Sequence, residues 1–343
     1  MKRFFLSASC GCIFLLLATL AMAAGSGYHV IHTYKLGGDG GWDYLTMDSA
    51  ARRLYISRAT HVIVLDADSG NVVGDIPDTP GVHGIALAPD LGRGFVSNGR
   101  EGTVTVFDTE SLKVITSTVK AGENPDCILY DPVTKRVFAF NGHSHNVTAI
   151  DAKSFALLGT IKLQGKPEFA VSDGKGELFV NIEDKSQLDA IDPQKLEVKA
   201  SWSLAPCEEP SGLAIDRKHR RLFSGCHNKM MAVVDADTGK VIATPPIGEG
   251  VDANAFDPKS DLAFASCGEG VLVVVHEDSP HKFTVKENVP TQAGARTMAL
   301  DEKTQQVYTV TAKFGPPPAP TAENPHPWHT ILPDTFVVLV LAK

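Results

Sequence analysis

What the sequence lacks narrows its fold class. Apolar residues nowhere recur at the three- and four-residue spacing of an amphipathic helix, and short runs of alternating apolar and polar residues occur instead. After residue 23, no apolar segment approaches the length of a transmembrane helix. These absences argue against helical bundles and helical membrane proteins and indicate an all-β fold with no membrane span.

The sequence also lacks an excess of positive charge. Lys and Arg number 32 against 40 Asp and Glu, which gives a net charge of −8, and removal of Lys2 and Arg3 would make it −10. An acidic chain has little general affinity for phosphate backbones or anionic lipid surfaces. Nucleic acid is therefore not expected as a partner.

Familiar catalytic motifs are missing as well. The sequence contains no G-x-S-x-G, no H-E-x-x-H and no phosphate-binding glycine loop. No catalytic residue can be assigned from a motif, and it stays open whether the protein is an enzyme.

The first 23 residues have the composition of an export signal. Lys2 and Arg3 precede the apolar run IFLLLATLAMA, which ends in the small residues Ala21-Met22-Ala23. This pattern predicts a cleaved signal peptide over residues 1–23 and a periplasmic or secreted mature chain over residues 24–343. We expect that chain to be a monomer.

Seven segments of the mature chain share a short strand that contains an aromatic residue. The aromatics are Tyr55, Phe95, Phe138, Phe179, Phe223, Phe264 and Tyr308. Their mean spacing is about 42 residues, and four short apolar runs separated by polar turns fit within each interval. Four strands per repeat of this length predict the blades of a β-propeller.

The last repeat is one strand short of four. It contains ARTMALD, QQVYTVTA and TFVVLVLAK, while the run YHVIHTYKL near the start of the mature chain resembles a fourth strand. We therefore predict one seven-bladed domain over residues 24–343, built from four-stranded antiparallel blades. Its last blade is closed by the N-terminal strand.

The repeats RRLYISRATHVIVLDADSGNVV and KRVFAFNGHSHNVTAIDAKSFALLGTI resemble the YVTN-type repeat of the YncE-like bacterial periplasmic β-propellers. The resemblance covers essentially the whole mature chain. It implies export, a seven-bladed ring and a ligand of unknown identity. Streptogramin lyases and the copper-carrying propeller of nitrous oxide reductase belong to the same broad class, so the resemblance leaves the chemistry open.

One position in each repeat begins the innermost strand, eleven or twelve residues before the aromatic, and faces one mouth of the central channel. These positions hold Asp43, His83, Asp126, Glu168, Ser211, Asp252 and Arg296. A divalent metal ion would suit the carboxylates and the imidazole among them. Arg296 would hold a carboxylate or phosphate group of a ligand. The alternative is that these residues are polar because they meet water in the channel.

Further candidate ligand-binding residues lie on the loops of the same face. Asn98 and Asn141 follow the second strands of their blades, where they either turn the chain or offer amide donors. His227 belongs to a group of histidines that map to these loops. Trp328 lies in the proline-rich segment 314–334, which we expect to lie across the channel mouth as a lid.

Cys207 and Cys226 are predicted to form a disulfide bond. Cys207 precedes the innermost strand of the fifth blade and Cys226 ends the second strand, so both reach the loop face. Pairing of Cys226 with Cys267, at equivalent positions of neighbouring blades, is the alternative. Cys127 begins an inner strand and is expected to be a buried free thiol.

Three functions are compatible with these patterns. The favoured one is a binding or scaffold propeller that presents the acidic channel mouth to a small molecule, a metal ion or a protein. The second is a metal-dependent lyase or hydrolase that uses a channel-bound cation as Lewis acid and a histidine as base. The third is a module that binds another protein of the cell envelope.

Overall fold

The computed structural model describes Met1, residues 27–321 and residues 329–343. Apart from Met1, the predicted signal peptide lies outside the described residues. The described chain forms seven four-stranded antiparallel sheets arranged as a seven-bladed β-propeller, so the predicted fold is confirmed. Helical structure in this part of the chain is limited to two short 3-10 turns, Pro89–Leu91 and Glu183–Lys185. None of the described helices is long and apolar enough to cross a membrane.

Each blade runs outward from the channel, and blades 1 to 7 follow chain order. The innermost strands are β2 (Trp42–Asp48), β6 (Val82–Ala88), β10 (Pro125–Asp131), β14 (Pro167–Ser172), β18 (Pro210–Asp216), β22 (Val251–Asp257) and β26 (Met298–Asp301). The second strands are β3 (Arg53–Arg58), β7 (Arg93–Asn98), β11 (Arg136–Asn141), β15 (Leu178–Ile182), β19 (Arg221–Cys226), β23 (Leu262–Cys267) and β27 (Gln306–Thr311).

The outer half of each blade completes the sheet. The third strands are β4 (His61–Asp66), β8 (Thr103–Asp108), β12 (Asn146–Asp151), β16 (Gln187–Asp192), β20 (Met230–Asp235), β24 (Val271–Ser279) and β28 (Val337–Ala342). The outermost strands are β5 (Val72–Ile76), β9 (Val114–Lys120), β13 (Leu157–Lys162), β17 (Glu197–Ser203), β21 (Val241–Ala243), β25 (Lys282–Pro290) and β1 (His29–Lys35).

The aromatic of each repeat lies on the second strand and packs between blades. Tyr55, Phe138 and Tyr308 are fully buried, as are their counterparts in the other blades. The second strands are buried on both faces because each blade is covered by two neighbours, whereas the outermost strand β17 alternates between exposed and half-buried residues. The repeating aromatic is therefore a core residue of the ring.

The N-terminal strand closes the ring as predicted. Strand β1 pairs antiparallel with β28, from His29 opposite Ala342 to Lys35 opposite Val337. Just before the strand, the buried ring of Tyr28 packs edge-on against Phe264 of blade 6, with ring centroids 5.2 Å apart. The first strand of the described chain thus links blades 6 and 7.

The predicted disulfide is present. Cys207 and Cys226 are bonded, with their Cα atoms 5.6 Å apart. Among the described cysteines, Cys127 and Cys267 are free and buried, so the alternative pairing of Cys226 with Cys267 does not occur. Burial raises the pKa of the Cys267 thiol to about 12, which makes it unreactive at neutral pH.

Candidate ligand-binding site at the channel mouth

The geometry of the inner strands turns the predicted site residues toward the channel. In six blades, the pairing of the inner strand with the second strand shifts register within the first residues, as between Pro125 and Ile128 of β10. Such a bulge bends the strand and redirects a side chain. The residue that follows the first one of the strand, for example Asp126, lies in this bulge.

The channel mouth contains a cavity of about 240 Å³. The predicted residues that line it are Asp43, Asp126, Glu168, Ser211, His227, Asp252 and Arg296. They come from six blades, although neighbouring members of the ring are about forty residues apart in the sequence. Radial repetition has therefore gathered equivalent positions around one enclosed space.

His83, the remaining member of the predicted ring, lies beside the cavity. Its Nδ1 atom is 2.5 Å from Oδ2 of Asp43 and 3.8 Å from Oδ1 of Asp126. Burial favours the neutral ring, but the hydrogen bond to Asp43 and the charges of Asp126 and Asp43 outweigh it and raise the pKa of His83 to about 9. The imidazole is therefore protonated at neutral pH and joins the two carboxylates.

Asp126 and Glu168, two of the carboxyl groups that line the cavity, hold protons more tightly than usual. Burial, reinforced by the charge of Asp43, raises the pKa of Asp126 to about 7. Burial and then the charge of Asp126 raise the pKa of Glu168 to about 8. Lys166 Nζ offsets part of this charge by donating to Glu168 Oε1 and to Glu183 Oε2, each at 2.5 Å.

Arg296 precedes the inner strand of blade 7, on the opposite side of the ring from Lys166 of blade 4. Its Nε atom is 3.5 Å from Oδ2 of Asp252, and nearly half of its side chain is exposed. Burial raises the pKa of Asp252, although Arg296 opposes the shift. At the rim, His227 Nδ1 lies 3.2 Å from Oε2 of Glu209.

Five further residues, not predicted from the sequence, line the cavity: Tyr44, Lys166, Phe169, Glu183 and Thr297. Tyr44 and Phe169 directly follow ring positions and stack across the channel, with ring centroids 5.1 Å apart. The corresponding residues of the other blades are small, so the two aromatics were a usable signal. Glu183 lies in a turn after β15, and no pattern in the sequence marks it.

Three other predicted residues have different placements. Asn98 is buried and donates to the hydroxyls of Thr103 and Thr105 at 3.0 and 2.8 Å. Asn141 is also buried, and its Oδ1 accepts the backbone N–H of Gly122. Both asparagines join strands and loops within the fold and do not reach the cavity. Trp328 lies outside the described residues.

Comparisons with known proteins identify the fold. No protein-family model and no curated protein matches the chain. Among solved structures, hydrazine synthase of Kuenenia stuttgartiensis is 17% identical, with a TM-score of 0.68 over 80% of this chain and 94% of that chain. A chain of the mitotic checkpoint complex is 14% identical, with a TM-score of 0.74 over 98% and 99%.

The WD40 repeats of RRP9 are 9% identical, with a TM-score of 0.75 over 92% of this chain and 97% of that chain. Likeness at these identities establishes the propeller fold alone. Membership of the YncE-like family stays a prediction from the repeats.

Proposed function

We propose that this protein is an exported propeller that binds a small, positively charged ligand in the cavity at the channel mouth. The observation that carries the proposal is the charge around the cavity. Five carboxylates line it, from Asp43, Asp126, Glu168, Glu183 and Asp252, whereas the fixed cations that line it are one lysine and one arginine. Lys166, Arg296 and the protonated His83 beside the cavity compensate part of this charge, and a bound cation would compensate the rest as the carboxyl groups ionise.

The raised carboxyl pKa values support this reading. Burial, and then the charge of neighbouring carboxylates, disfavours the ionised forms of Asp126 and Glu168 and raises their pKa values to about 7 and about 8. A metal ion or an ammonium group can replace those protons and interact with the ionised carboxylates. The cavity is therefore chemically suited to a cation rather than to an anion.

Two parts of the site suit two kinds of cation. One ligand atom from each of Asp43, His83 and Asp126 lies within 4.8 Å of the others, a spacing that suits a divalent metal ion, which would have to displace the proton of His83 on binding. The stacked rings of Tyr44 and Phe169 suit an organic ammonium group through a cation–π interaction. Arg296, if the ligand is zwitterionic, would pair with its anionic end.

Calorimetric titration of the mature protein with Ca²⁺, Mn²⁺, Zn²⁺ and 1,4-diaminobutane tests the proposal and separates the two kinds of cation. The double variant Asp126→Asn with Asp252→Asn replaces two cavity carboxyl groups with amides. We expect it to bind the cation about tenfold or more weakly while the protein stays folded. The matched control is Glu110→Gln with Glu302→Gln, which removes two exposed charges. Equal affinity in both double variants, or no binding of any probe, would contradict the proposal.

The pH dependence of the site has a defined sign. The carboxyl pKa values of Asp126 and Glu168 lie above the ordinary values of 3.8 and 4.5, so the folded protein retains protons that the unfolded chain has lost. Their contribution to stability without ligand therefore falls as pH rises from about 4 to about 8. His83 acts in the same direction between its ordinary pKa of 6.5 and about 9.

We expect Asp126→Asn with Glu168→Gln to become more stable relative to wild type as pH rises from 5 to 9. Chemical denaturation of both proteins across this range measures the difference. In wild type, cation affinity should rise over the same range, because binding displaces protons from the two carboxyl groups. A stability difference that does not change with pH would show that these carboxyl groups titrate normally.

A second candidate function is catalysis at the same cavity. Carboxyl groups with pKa values of about 7 and 8, as in Asp126 and Glu168, can donate and accept protons at neutral pH. They are better placed for this than His83, whose raised pKa keeps it protonated and removes it as a base. A lyase or hydrolase reaction would therefore use a carboxylate as base, with any divalent cation at Asp43 acting as Lewis acid.

The disulfide between Cys207 and Cys226 supports the predicted export, because disulfides persist in oxidising compartments. The ligand of the channel mouth would then be a component of the periplasm or of the extracellular medium. An envelope protein is the alternative partner, and it would cover the loop face around the same cavity.

A further inference from the structure

A second group of potential metal ligands lies on the other face of the propeller, at the junction of blades 5 and 6. It consists of Asp216, His219 and Glu277, each of which offers one ligand atom within 4.8 Å of the others. Asp216 ends strand β18, which begins near Ser211 of the channel mouth. The two sites are therefore at opposite ends of the inner strand and are independent.

His219 occupies a position where other blades have a hydroxyl residue. This position is the third after the aspartate that ends the inner strand. In three blades its hydroxyl donates to that aspartate: Thr134 to Asp131, Ser260 to Asp257 and Thr304 to Asp301. In blade 5 the imidazole of His219 replaces the hydroxyl, and its Nδ1 atom lies 2.7 Å from Oδ2 of Asp216.

Glu277 also departs from the repeat. Its backbone N–H donates to the carbonyl of Asp261 at 2.8 Å, a bond that recurs in other blades. The donors in those blades are Ala67, Thr109, Ala152 and Ala236. A buried position that holds alanine in three blades thus holds a carboxylate in blade 6, and only 4% of the Glu277 surface is exposed.

The junction of blades 5 and 6 lacks a side-chain hydrogen-bond donor that four other junctions have. The turn between the first and second strands of a blade ends in a residue with positive φ. In four blades the side chain of this residue donates a hydrogen bond to the preceding blade: Arg52 to Asp301, Lys135 to Asp90, Arg220 to Asp173 and Gln305 to Asp257. In blade 6 this residue is Asp261. A carboxylate therefore adds negative charge near Glu277, where four other blades supply a hydrogen-bond donor.

The contacts of Glu277 leave it incompletely satisfied. Neither of its carboxylate oxygens accepts a hydrogen bond from the described residues, although the side chain is buried. Its Oε1 lies 2.9 Å from Nδ1 of His219, and that nitrogen likewise makes no well-aligned hydrogen bond within the described chain. Oxygens of Asp216 and Glu277 thus converge on one ring nitrogen at 2.7 and 2.9 Å, which places three possible ligand atoms around one point.

We propose that the junction of blades 5 and 6 binds a divalent transition-metal ion, with Nδ1 of His219 and carboxylate oxygens of Asp216 and Glu277 as its protein ligands. Imidazole nitrogen and carboxylate oxygen are both donors that zinc accepts, and a water molecule would take a fourth position. The ion supplies the positive charge that arginine or lysine supplies at other junctions. It joins the two blades and compensates the buried Glu277.

Zinc titration of chelator-treated mature protein, followed by calorimetry and thermal melting, tests this site. We expect Glu277→Ala and His219→Ala each to lose one equivalent of bound Zn²⁺ relative to wild type. The channel-mouth variant Asp126→Asn with Asp252→Asn should retain that equivalent, which separates the two sites. His276→Ala, which removes a neighbouring imidazole on the same strand, is the matched control.

The melting temperatures provide a second readout, because wild type and the Glu277→Ala variant should respond differently to Zn²⁺. Wild type should melt higher with Zn²⁺ than without it. Glu277→Ala should melt at or above metal-free wild type, because alanine is the residue that blades 1, 3 and 5 accommodate, and it should gain less from Zn²⁺ than wild type does. Glu277→Gln, which keeps the side-chain size, is the second variant if the alanine protein folds poorly.

Unchanged zinc stoichiometry in the Glu277 and His219 variants would overturn the proposal. So would a wild-type protein whose melting temperature does not respond to Zn²⁺.

Discussion

Deleting residues 24–36 is expected to lower the melting temperature by about 8 °C or more. The deletion removes strand β1, which pairs with β28 through six residue pairs, and Tyr28, which packs against Phe264. Loss of a buried aromatic side chain alone costs about 3–5 kcal/mol. With the strand included, we expect a loss of about 5 kcal/mol or more in the free energy of unfolding, which gives the stated shift for a chain of this size.

The physical reason is the loss of ring closure. Without β1, strand β28 becomes the edge of blade 7, and its unpaired backbone groups and buried apolar face meet water. A protein that lacks only residues 24–26 is the control, and Tyr28→Ala should give an intermediate shift. Differential scanning calorimetry measures all three. Equal melting temperatures for the full deletion and the control would show that the N-terminal strand does not hold the ring closed.

Removing the disulfide, with Cys207→Ala and Cys226→Ala, is expected to lower the free energy of unfolding by about 3 kcal/mol. The bond closes a loop with a sequence separation of 19 residues, and cross-linking a loop of that length restricts the unfolded chain by this amount. The corresponding decrease in melting temperature is about 4–5 °C. Denaturant unfolding and calorimetry measure the two quantities.

Reduction provides the control for this prediction. A reductant should lower the stability of wild type to that of the double alanine variant and should leave the variant unchanged. Cys127 and Cys267 are present in both proteins and are already free thiols, so they do not contribute to the difference. A variant as stable as oxidised wild type would show that the bond adds nothing to stability.

The fold was predictable because each of its determinants is local or repeats at a constant interval. Alternation of apolar and polar residues defines strands over a few residues, and the aromatics from Tyr55 to Tyr308 recur about every 42 residues. The missing strand of the last repeat predicted that β1 would pair with β28. Such patterns can be recognised in a single sequence because each of the seven blades makes the same contacts with its neighbours and so has similar residues at equivalent positions.

The candidate site was only partly predictable. The period places Asp43, Asp126 and Glu168 at equivalent positions, and radial symmetry then brings them to one cavity. The asparagines have the same kind of periodicity, yet Asn98 is buried against threonines of its own blade. The repeat period predicts which end of the propeller a residue lies at, but not whether its side chain points into the channel or into its own blade.

By itself, the amino-acid sequence determined the number of blades, the strand that closes the ring and the acidic character of one channel mouth. Only the tertiary structure decided that Glu183 lines the cavity, that the pKa of Asp126 is raised, and that His219 meets Glu277 of the next blade. Strand formation and blade count depend on short-range patterns repeated along the chain. Protonation and contacts between blades depend on burial and on neighbours distant in sequence, which only the closed ring brings together.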